Sequence, residues 1–104
     1  MDEWTIVFNY NQAIDQADDL DDIAREVHKL ADQTLADSIS TIDKNWDGDN
    51  SVKFISKGNR LREKISDSGD DISRIADAVR QMAKAIYDSE MEALRIARER
   101  EAME

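Results

Sequence analysis

Residues 43–54 read DKNWDGDNSVKF, and two parsings of this stretch give two different proteins. Read as D-x-N-x-D-G, Asp43, Asn45 and Asp47 run into Gly48 as the first half of a calcium loop. Such a loop needs oxygen ligands at alternate positions, a glycine for its sharp turn and a bidentate glutamate at position twelve. That twelfth position is Phe54, which has no oxygen to give. Read as N-W-D-G, the stretch is a tight turn between two helices. Gly48 reaches positive φ without steric cost, and Asp49, Asn50 and Ser51 are all N-cap types for a following helix. Trp46 and Phe54 then supply aromatic area over the end of a hairpin. The turn accounts for every residue, and a calcium-binding helix–loop–helix with an incomplete loop is the alternative.

On the N-terminal side of the turn the apolar residues keep a helical step. Ala13/Ile14, Ala17, Leu20, Ile23/Ala24, Val27, Leu30/Ala31, Leu35, Ile39 and Ile42 recur every three or four positions, the mark of an amphipathic helix. Before it, Trp4, Ile6, Phe8 and Tyr10 alternate with polar or smaller residues. That period of two predicts an extended arm over about 1–8, with helix one over about 9–43 entered through Asn9 and Gln12 as a capping box. The turn covers about 44–50. Helix two covers about 51–100 and fits a heptad. One core position holds Gly58, Ile65, Ile72, Val79, Ile86 and Ala93; the other holds Leu61, Ser68, Ile75, Met82, Ser89 and Ile96. Gly69 is the point at which helix two is weakest, yet the heptad phase passes through it unchanged, which favours a continuous helix.

The expected fold is therefore all-α, an antiparallel two-helix hairpin forming a single domain over 1–104. Lys53, Lys57, Arg60, Arg62 and Lys64 would lie beside Asp32, Asp37 and Asp43 in this register. Helix one also carries doubled apolar positions, so its stripe is wider than one partner helix covers. The surplus predicts pairing of two hairpins into a four-helix bundle dimer, either of two copies or with a related hairpin.

Composition narrows the function. Of 104 residues, 37% are charged, and 24 acidic against 14 basic residues give a net charge of −10. So acidic a chain repels nucleic acid and anionic membrane. With no cysteine and one histidine, His28, it offers no thiol chemistry and no zinc site. No segment has the roughly 20 apolar residues of a membrane span, and the N-terminus lacks the basic and apolar regions of a classical signal peptide. The aspartates at 15–22 read as a solvated face. No nucleophile–base–orienter set or phosphate loop appears, so no enzyme and no cofactor are expected.

With Trp46-Asp47-Gly48 at mid-chain between two periodic runs, an acidic balance and no cysteine, the whole chain resembles the WXG100 family of small helical hairpins, which is similar in length. The resemblance implies export through a bacterial type VII secretion system without a cleaved signal peptide, from a cytoplasmic folded state. It implies as partners a second hairpin or the N-terminal helical domain of a larger toxin, and the secretion ATPase. In that last role the chain would be a small targeting partner in an obligate hetero-complex. It also implies a C-terminal Tyr-x-x-x-Asp/Glu signal. Here Tyr87 is followed four residues on by Met91, with Glu90 one residue early. Tyr87 and Glu90 share a helix face and are the candidate signal.

Overall fold

A computed structural model describes residues 2–104. Among them every residue outside 2, 46–48 and 104 is helical, and there is no strand. α1 is Glu3–Lys29, followed without interruption by a π-helical turn at Leu30–Leu35 and by α2 at Ala36–Asn45; α3 runs unbroken over Asp49–Met103. The chain is a helical hairpin whose two arms meet at 46–48.

The expected extended arm is helical instead. Asp2 accepts the Thr5 N–H at 2.8 Å through its carboxylate, the N-cap bond that starts a helix, and the Ile6 N–H reaches the Asp2 carbonyl at 3.1 Å. Asn9 and Gln12 thus lie inside α1. The alternation misled because residues four apart share a face in a helix as well as in a strand. Trp4 and Phe8 stack at 5.2 Å between centroids on that basis.

Two compact units are present, residues 2–20 with 75–104 and residues 21–74. In the first, Glu3 meets Arg98, Tyr10 meets Tyr87 and Asp18 meets Arg80. Rising numbers face falling ones, so the segments are antiparallel. In the second, His28 meets Asp70, Ile39 approaches Gly58 and Trp46 meets Phe54 in the same sense.

Small residues form the seam. Ala17, Ala76 and Ala83 are buried in the first unit with Ile6; Ala24, Ala31, Ser51 and Gly69 are buried in the second. This corrects the expected core of helix two. Gly58, Ile65, Ile72 and Val79 are partly covered, but Leu61, Ile75, Met82 and Ile96 are exposed. The inward position lies one residue further on, at 69, 76 and 83. Alanine and glycine win it because helix axes approach more closely over small side chains. A buried methyl contributes about 0.8 kcal/mol, against about 1.5–3 kcal/mol for a buried Ile, Leu or Met. The seam therefore holds the hairpin weakly, and Leu61, Ile75, Met82 and Ile96 stay in water.

The expected ion pairs near the turn are absent among the described residues. Lys53, Lys57, Arg60, Arg62 and Lys64 contact no carboxylate of Asp32, Asp37 or Asp43. Pairs that cross the seam include Arg80–Asp18 at 2.8 Å, Arg98–Glu3 at 3.5 Å and His28–Asp70 at 3.1 Å. Most others, such as Arg95 with Glu92 and Glu99, stay on one helix at three- or four-residue spacing.

Candidate functional site: the turn and the uncovered flanks

The turn forms where helical geometry is given up for three residues. Trp46 is extended (φ −137°, ψ 118°), and its N–H still bonds the Ile42 carbonyl at 2.9 Å, which closes α2. Gly48 has φ 104°, a conformation that costs L-residues roughly 1–2 kcal/mol. Its carbonyl accepts the Val52 N–H at 3.2 Å and the Ser51 hydroxyl at 2.7 Å. Gly48 is therefore the N-cap of α3. Asp49, Asn50 and Ser51, read as candidate caps, are its first turn, and Ser51 is buried by its bond back to Gly48. The Trp46 and Phe54 rings meet at 5.9 Å between centroids, tilted by 59°. They cover the turn only in part, since Trp46 remains 48% exposed.

The calcium reading does not match this backbone. Asp43 and Asn45 belong to α2 rather than to a loop, and the Asn45 side-chain amide donates back to the Thr41 carbonyl at 2.7 Å. Asp47 alone lies in the turn. Among the described residues no group of three or more His, Cys, Asp or Glu is placed to hold a metal ion.

Tyr87 and Glu90 are brought to one place. Both line a small groove with Ile6, Tyr10 and Ala83, and the Tyr87 ring leans on Tyr10 at 5.0 Å between centroids. Glu90 does not pair with a cation among the described residues. Salt-linked groups lie on either side of it. Arg95 holds the Glu92 carboxyl below its ordinary range through a hydrogen bond and its charge, and that pair raises Arg95 in turn. Asp88 raises Lys84 in the same way.

His28 is the residue that sequence reasoning undervalued. Its ring is half-buried over Gly69. Nε2 lies 3.1 Å from Asp70 Oδ1, and Nδ1 lies 3.3 Å from Ser66 Oγ. A Cβ on Gly69 would fall 2.8 Å from Nε2. The signal was the glycine itself, unexplained inside a long heptad run.

Two uncovered faces complete the surface. On α3, Ile75, Met82 and Ile86 are 54%, 58% and 58% exposed. Ala78, Ala85, Ser89 and Ala93 continue that face, and all are exposed and uncharged. Along α1 and into the π-helical turn, Ile23 and Leu30 flank Val27 in an apolar groove. No described helix is long and apolar enough to cross a membrane. No family model, no curated protein and no solved structure matches the chain.

Proposed function

We propose that the protein is a non-catalytic helical hairpin that pairs with a second hairpin into a four-helix bundle and travels through a type VII secretion system as a substrate or co-secreted partner. The supporting observation is the uncharged face of α3 over 75–96. An acidic chain with 37% charged residues keeps that face free of charge and leaves Ile75, Met82 and Ile86 in water. Contiguous exposed apolar surface of this kind marks an interaction site. The secretion half of the reading rests on the resemblance carried by Trp46-Asp47-Gly48 and supported by the tight, half-exposed aromatic turn. Tyr87 and Glu90, close together near the end of α3, are its candidate signal.

The mass of the purified chain in solution tests the pairing. At about 0.5 M salt, where contacts between charges are screened, twice the chain mass is expected, reduced to the chain mass by Ile75→Ser with Met82→Ser at unchanged helical content. A monomer at all concentrations sinks self-pairing and directs the search to a different hairpin. Export is tested in a host with a type VII system by truncating after Tyr87. Undiminished release into the medium removes the tail from the mechanism.

A further inference from the structure

A basic stripe stands out on this acidic molecule. Lys53, Lys57, Arg60 and Lys64 follow one another at i, i+4, i+7 and i+11 of α3, so they share one helix face over roughly 16 Å. All four are exposed, and among the described residues none of their basic side chains makes an ion pair or hydrogen bond. A shallow groove bordered by Val52 and Ser56 runs beside the first three. The carboxylates expected to neutralise them stand elsewhere.

The same spacing occurs once more with the opposite sign. Asp15, Asp19, Asp22 and Glu26 occupy i, i+4, i+7 and i+11 of α1. They too are exposed, and among the described residues only Asp22 of the four has an ion-pair partner, Arg25 on the same helix. The spacing is its own reverse, so the two stripes match whether the helices run parallel or antiparallel. Neither stripe includes a residue of the uncharged α3 face at 75–96.

We infer that the basic stripe on α3 of one copy docks on the acidic stripe on α1 of a second copy. The contact joins two different surfaces, so it is heterologous and continues from copy to copy as a ring or open chain. Two forces compete. Each copy carries a net charge of −10, which repels at long range. The stripes attract only at contact. Near 0.1 M salt the screening length is about 10 Å, which suppresses the long-range repulsion more than the contact pairs. Each exposed pair contributes little, so the association is weak and needs all four. Higher salt dissolves it, whereas apolar pairing through the α3 face persists or strengthens.

Sedimentation equilibrium of the full chain at about 0.1 M and about 0.5 M salt separates the two modes. The average mass is expected to exceed that of the apolar pair at the lower salt and to fall at the higher. Lys57→Glu with Arg60→Glu should weaken the salt-sensitive step by about tenfold or more. Adding Asp19→Lys and Asp22→Lys to that variant should restore it, because the two central positions of both stripes are then reversed and match again. All four positions are exposed, and circular dichroism checks that the helices remain. A mass that ignores salt overturns the inference while leaving apolar pairing intact. Failure of the fourfold variant to recover overturns it as well, since the basic stripe would then answer to some other surface.

Discussion

Gly69 and His28 set two effects against each other within one contact. Alanine in place of glycine inside a helix gains about 1 kcal/mol, but the new methyl would lie 2.8 Å from the ring nitrogen. The ring is placed by Ser66 and Asp70, so moving it disturbs both contacts. Gly69→Ala should therefore lower the urea midpoint in the native chain. In a His28→Ala background the same change should raise stability by about 1 kcal/mol. Equal effects in both backgrounds would show that the contact does not decide. Asp2 offers a test by pH. Its bonds from Thr5 hold its carboxyl below the ordinary value of 3.8. A carboxyl depressed in the folded state stabilises above its unfolded pKa and loses that contribution as pH falls through the folded one. Protection of the Thr5 and Ile6 amides, taken as exchange relative to the unstructured-chain rate at the same pH, should fall below about pH 4. Asp2→Ala should exchange fast at every pH, without that step. Neither residue was prominent in the sequence. His28 entered the sequence reading only as a lone histidine without a zinc site, its contact hinted at by Gly69 alone, and Asp2 was hidden by the supposed arm, because no pattern of types announces a cap placed earlier than the periodic run.

The helices were legible because steps of three and four persist over dozens of residues. The turn was legible because a glycine beside a tryptophan interrupts them. The inward phase of α3 was not. Leu61, Ile75 and Met82 are more hydrophobic than Gly69, Ala76 and Ala83, so a reading by hydrophobicity selects the flank as the core. Close packing reverses that choice, since the smaller set lets the backbones approach. This makes the seam sensitive to size. Ala76, fully buried, should cost about 1–3 kcal/mol when enlarged to leucine. Met82→Leu, on the exposed flank, should leave the chemical denaturation midpoint nearly unmoved. Comparable losses at both positions would return the core to the larger residues.

At the scale of the molecule, a seam of methyls gives little stability per chain. Any partner that covers the flank is then felt as stability, because binding to the folded state alone shifts unfolding by mass action. Thermal midpoints measured across a hundredfold range of protein concentration should climb, and Met82→Ser should flatten that climb. A midpoint independent of concentration in the native chain would mean that the hairpin stands alone. The π-helical turn at Leu30–Leu35 carries a separate consequence. Around it the apolar residues fall at Ala31, Leu35 and Ile39, two successive steps of four, where a heptad would need only seven positions. One residue is surplus there. Loss of a single codon for the exposed Gln33 would bring Leu35, Ile39 and Ile42 back into plain heptad phase and be borne quietly. The same loss between Ala17 and Ala24 would swing one side of α1 by about 100° against the other and unseat the buried alanines, so tolerance to length change should be confined to this one stretch of the arm.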